Sequence, residues 1–171
     1  MADYLFGIAE QGNCPALFPA GVFGCGDQTI VVWDKSGHMD IADAFREMAG
    51  TGGMDSRKAF LDLSCMLFSA LAEAEDWLIP PEALDLSKKH TGCDLKNKTV
   101  KFCLGGTDDV HPISGCCCGK DLAGAFSLLG DVFSDVFPGI PFPLQALEKK
   151  ALEENLGIKS IIKQLGLMQM R

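Results

Sequence analysis

An apolar period that runs from Phe60 to Ala74 and then meets a double proline sets the architecture of this chain. Phe60, Leu63, Leu67, Leu71 and Ala74 recur at intervals of three and four, and Leu61, Met66 and Phe68 widen the stripe. Side chains at those intervals share one face of an α-helix, so the spacing predicts a long helix with one buried side, ending near Trp77. Asp55 or Ser56 offers a side-chain oxygen to its first free amide hydrogens. Pro80 and Pro81 stop it, because proline has no amide hydrogen and forces the preceding residue out of helical geometry.

Around that helix the chain alternates short β-rich runs with further helical periods. Leu17 to Phe23 and Thr29 to Asp34 read as two strands joined by a turn at Cys25-Gly26-Asp27-Gln28. Lys35-Ser36-Gly37-His38 carries turn chemistry. Asp40 then caps a short helix with Ile41, Ala44, Phe45 and Met48 on its inner side, and Gly50 to Gly53 break it. Beyond the prolines, Ala83 to Leu86 and Thr99 to Leu104 read as two strands around a polar connection. A helix is expected from Asp121 to about Val136. Pro138, Pro141 and Pro143 form a stiff linker, and two more helices follow, from Leu144 to Leu156 and from Ile158 to Met168.

Charge and composition narrow the function. Of 171 residues, 47% are hydrophobic, enough for a substantial core. A net charge of −8 with no basic stripe disfavours nucleic acid and anionic lipid as partners. Lys88-Lys89-His90 and Lys149-Lys150 are too short to make an electrostatic footprint. No run of apolar residues is long enough to span a bilayer. The opening Met-Ala-Asp-Tyr-Leu-Phe-Gly lacks the basic-then-apolar order of a secretory signal, so a cytoplasmic location is the default expectation.

The order of strand, strand, short helix, long helix, Pro-Glu, turn, strand and helices resembles the kinase-like domains of the type VII secretion component EssB/YukC and related uncharacterised Firmicute domains. Three segments carry the likeness: Ile30-Val31-Val32-Trp33-Asp34-Lys35-Ser36-Gly37, Glu75-Asp76-Trp77-Leu78-Ile79-Pro80-Pro81-Glu82, and Val100-Lys101-Phe102-Cys103. The resemblance implies an α+β fold of degenerate protein-kinase type, with a small antiparallel β-containing N-terminal lobe and a helical C-terminal lobe. Residues 1–171 would form one domain, divided near 77/78 into the N-terminal lobe with its long helix (1–77) and a strand pair with the helical lobe (78–171).

It also implies that the chemistry is gone. Phosphoryl transfer needs a base, an amide and a metal-binding carboxylate in the catalytic loop and the strand after it. Aligning Pro81-Glu82 with the Pro-Glu of that loop places Leu78 at the base and Ala83 at the amide. Aligning Val100 to Cys103 with the following strand places Leu104 at the carboxylate. No Gly-x-Gly-x-x-Gly loop precedes the first strands, and Gly21 to Gly26 have the wrong spacing. The expectation is a non-enzymatic, pseudokinase-like module that binds a protein partner and uses no cofactor, tied by the resemblance to a secretion or signalling apparatus.

A second expectation rests on cysteine. Cys116-Cys117-Cys118, with His111 nearby, is the alternative centre for a thiol-dependent enzyme or a zinc site. Adjacent cysteines suit zinc poorly, since tetrahedral sites favour pairs two to four residues apart. Lys120 could lower a thiol pKa there. Cys65 and Cys103 sit in apolar runs and read as small core residues. His38, His90 and His111 stand apart from any recognisable triad. Glu73, Glu75 and Asp76 read as a solvated face that opposes the dipole of the long helix. Trp33 and Trp77 read as core or lobe-interface residues.

Overall fold

The structure, a computed structural model, describes residues 2–25, 28–50, 55–105 and 122–170. In chain order the elements are α1 (Ala2–Gln11), β1 (Ala20–Cys25), β2 (Gln28–Trp33), β3 (Met39–Asp40), α2 (Ile41–Gly50) and α3 (Ser56–Asp76). A 3₁₀ turn at Pro81–Ala83 leads to β4 (Thr91–Asp94) and β5 (Thr99–Phe102), and α4 (Ala123–Val136), α5 (Gln145–Glu154) and α6 (Ile158–Gln169) complete the fold. The described residues form an α+β architecture with two small antiparallel sheets, β1-β2 and β3-β4-β5.

Helix α3 is the spine. The Asp55 carboxylate accepts the amide hydrogen of Arg57 at 3.0 Å and opens the helix. Phe60, Leu63, Leu67, Leu71 and Ala74 are all buried, as the apolar period requires. An aromatic cluster locks three helices together: the Phe60 ring lies 4.9 Å from Phe133 of α4 and 5.4 Å from Phe45 of α2, centroid to centroid. Such pairs add about 0.5–1.5 kcal/mol each beyond the area they bury.

The β3-β4-β5 sheet joins chain from both sides of residue 77. Met39 pairs with Cys93 and Asp40 with Gly92, while β4 and β5 form a hairpin in which Cys93 faces Val100. Residues 16–18 run parallel beside β5, with Phe18 N–H donating to the Phe102 carbonyl at 3.0 Å and Phe102 N–H to the Ala16 carbonyl at 2.9 Å. One continuous buried cluster takes in side chains from α1 through α6.

Two local expectations are corrected. The strand expected at Ala83–Leu86 is instead the 3₁₀ turn followed by a single bridge, Leu84 to Leu104. Pro80 and Pro81 give up two amide donors and so cannot start a ladder. The true partner strand, β4, lies in the stretch that reads as a polar connection. It is set by the turn after it, where Asp94 Oδ1 accepts the amide hydrogens of Lys96 at 2.9 Å and Asn97 at 3.1 Å. The second correction is α1, a helix where only turns and strands are expected; it buries Leu5, Ile8 and Ala9, one turn apart, against the core.

Candidate functional site

The C-terminal end of α3 ends in a Schellman motif with an unusual residue at its key position. Leu78 N–H donates to the Glu75 carbonyl and Ile79 N–H to the Ala74 carbonyl, each at 2.9 Å. The motif requires a left-handed backbone at residue 78, and Leu78 has φ +59°. Glycine is the usual occupant, because a Cβ in this conformation costs about 1–2 kcal/mol. Ile79 and Ala74 are buried and make the apolar contact of the motif, yet the Leu78 side chain is 66% exposed. The two hydrogen bonds and the buried Ile79 hold the backbone in place, while the Leu78 side chain itself adds little to the core.

Two aromatic residues flank it. Trp77 is 36% exposed and Tyr4, from α1, is 52% exposed. The Tyr4 hydroxyl donates to the Trp77 carbonyl at 3.4 Å, which ties α1 to the end of α3. Trp77, read from the sequence as a core or lobe-interface residue, therefore lies outside the core, whereas Trp33 packs partly buried against it. Of the positions aligned with phosphoryl-transfer groups, Ala83 and Leu104 are buried in the core and Leu78 lies outside it.

A groove follows the outer side of α3. One hollow of it, about 450 Å³, is lined by Met48, Asp62, Cys65, Met66, Lys98 and Gln169 among others. Asp62 Oδ1 accepts a hydrogen bond from Gln169 Nε2 of α6 at 2.8 Å. Cys65, expected in the core, is only half-buried here; burial and the neighbouring Asp62 push its thiol up, so it is a poor nucleophile. A second apolar surface lies on the β1-β2 hairpin, where Phe23, Ile30 and Val32 share one exposed face.

Several other polar side chains tie segments of the chain together. His90 Nδ1 meets Asp85 Oδ2 at 2.6 Å, with the Ser87 hydroxyl 3.3 Å from the same nitrogen. Because serine and carboxylate share one ring nitrogen, this is not a relay in which a carboxylate orients a base toward a nucleophile. His38 Nδ1 lies 3.1 Å from the Ser36 carbonyl, and its ring stands edge-on to Phe18. Lys35 Nζ reaches Asp40 Oδ1 at 3.2 Å and also donates to the Lys89 carbonyl, stapling the β2-β3 turn to the segment before β4.

Cys14, Cys93 and Cys103 are buried free thiols. Burial pushes Cys93 up to about 12 and Cys103 up to about 11. Cys116, Cys117, Cys118 and His111, the alternative thiol or metal centre, lie outside the described residues. Among the described residues no group of three or more His, Cys, Asp or Glu side chains is placed to hold a metal ion, and no helix is long and apolar enough to cross a membrane.

The signals for this surface are partly present in the sequence. The acidic end of α3 and its opposition to the helix dipole are readable there; the exposure of Trp77 and the left-handed backbone of Leu78 are not. Compared with known proteins, the chain matches no protein-family model and no curated protein.

Proposed function

We propose that this chain is a non-catalytic recognition module on a degenerate protein-kinase-like scaffold, and that it binds a protein partner through a surface centred on Trp77 and Leu78. One observation carries the reading: a leucine is held in a strained left-handed conformation with its side chain 66% exposed, beside an exposed tryptophan and tyrosine. Local strain of this kind collects at functional positions, and Trp and Tyr are the side chains most enriched where binding energy concentrates. The kinase-like part rests on motif order. The non-catalytic part rests on that alignment too, which puts apolar Leu78, Ala83 and Leu104 where a base and magnesium ligands would be needed. The link to a secretion or signalling apparatus rests on the same resemblance.

Leu78→Gly tests the reading cleanly, since glycine relieves the strain and leaves the core untouched. Tagged wild-type and Leu78→Gly chains would be expressed in the native host, cross-linked and captured. Wild type should retain a protein that the better-folded variant loses. Equal retention by both chains would refute the assignment of this surface.

A further inference from the structure

Strand β2 has an open edge. It pairs with β1 through an unbroken ladder, from Ala20 opposite Trp33 to Cys25 opposite Gln28. Helix α1 packs on the β1 side of the hairpin, while β2 has a broad contact only with β1. Just past the ladder, Asp34 N–H donates to the Pro19 carbonyl at 2.8 Å. Alternate residues of an antiparallel strand send both backbone groups to the same side. Val32 and Ile30 therefore turn theirs toward β1, and Thr29, Val31 and Trp33 turn theirs outward. Among the described residues nothing bonds to those outer groups.

Monomeric proteins protect such an edge with a charge, a proline or a bulge. None of these stands between Gln28 and Trp33. The face beside the edge is apolar too. Phe23, Ile30 and Val32 are 57%, 47% and 55% exposed. Phe23 lies over Gly21, where a Cβ would stand 2.9 Å from its ring, so the patch is flat. From Ala20 to Trp33 the one charged residue is Asp27, in a chain of net charge −8. Two copies of so acidic a chain repel one another over most of their surface. At this hairpin they do not.

We infer that β2 is the pairing edge of a homodimer, in which two copies join antiparallel about Val31 into one four-stranded sheet, β1-β2-β2-β1. Centring on Val31 uses all three outer residues. Val31 meets Val31 of its partner and Thr29 meets Trp33, each pair exchanging both backbone hydrogen bonds. The contact is two-fold and self-complementary, as a closed dimer requires. Ile30 of one protomer then stands opposite Val32 of the other, so the two apolar patches become one continuous stripe. The Trp77–Leu78 reading does not require this dimer.

So short an edge buries little, and the association should be weak, with a Kd on the order of 10–100 µM. Sedimentation velocity of the full chain, with reductant present and concentrations from about 5 to 500 µM, should show monomer giving way to dimer. Two variants test the register: Ile30→Lys with Val32→Lys, and Ile30→Glu with Val32→Glu. Both positions are exposed, and circular dichroism confirms that each variant folds. Like charges then face each other across the edge, so each variant alone should dimerise at least about tenfold more weakly. Mixed in equal amounts they place lysine opposite glutamate, and the dimer should return as a heterodimer. A wild-type chain that stays monomeric, a variant that dimerises as well as wild type, or a mixture that stays monomeric would overturn the inference.

Discussion

Phe18 and Gly92 are fitted so closely that a Cβ on Gly92 would stand 2.5 Å from Cζ of the Phe18 ring, and 3.1 Å from the His38 Cβ. The ring lies across β4 from the segment that runs beside β5, and glycine is what lets it lie flat there. Gly92→Ala should therefore cost about 1–3 kcal/mol through overpacking. Urea unfolding measures the loss. In a double-mutant cycle with Phe18→Leu, the double mutant should lose less than the sum of the two single losses, because the smaller side chain frees the space.

The opposite sign is expected at Leu78. Replacing it with glycine removes the cost of a left-handed side chain, partly offset by the greater freedom of glycine in the unfolded chain. The net gain should be about 0.5–1 kcal/mol. A urea midpoint that falls would mean that the leucine side chain contributes to the fold, and the strain argument would fail.

Buried thiols set the alkaline limit. The unfolded thiols titrate near 9.0, while burial holds folded Cys93 at about 12, with Asp94 adding to the effect, and Cys103 at about 11. Above about pH 9 the unfolded chain releases these protons and the folded chain keeps them, so folding becomes less favourable as pH rises. Their contribution is intact below pH 9 and is lost by about pH 12. Between pH 9 and 11 the urea midpoint should fall, and it should fall less steeply in Cys93→Ala. Parallel slopes for the two chains would contradict the assignment.

Magnesium and ATP should leave the protein's melting temperature unchanged within about 1 °C. A ligand held at a hundred times its Kd would add about 2.7 kcal/mol, raising Tm by about 5 °C or more for a chain of this size. A magnesium-dependent rise on that scale would show that groups other than Leu78, Ala83 and Leu104 grip phosphate.

Much of the fold is legible in the sequence where local and tertiary preferences agree. The run from Phe60 to Ala74 has both a helical period and a good cap at Asp55, and α3 follows it closely. Thr29 to Trp33 is dense in β-branched and aromatic residues, and β2 forms there. Strand β4 fails that test: Thr91-Gly92-Cys93-Asp94 has little β preference of its own and is made a strand by pairing on both sides with β3 and β5. Helix α1 is short and interrupted by Gly7, so its three buried positions give a weak signal until the core forms on them.

The site is less legible for a different reason. Glycine or asparagine marks a left-handed helix end in a sequence, and leucine at residue 78 gives no such warning. The Tyr4–Trp77 contact joins residues 73 apart in sequence and depends on how α1 docks. The groove joins residues from α2, α3, the β4-β5 turn and α6, which no local pattern brings together. What the sequence does display is the charge layout of α3, with bases in its first turn and acids in its last.

Recognition at the end of α3 is tested most directly by placing a photo-crosslinking benzoylphenylalanine at residue 78 in the native host, with the same group at Ile140 as control. Ile140 is 56% exposed, similar to Leu78, and lies in the loop between α4 and α5. The account predicts one dominant protein adduct at residue 78 that is absent from the control. No adduct at residue 78, or the same adducts at both positions, would contradict it.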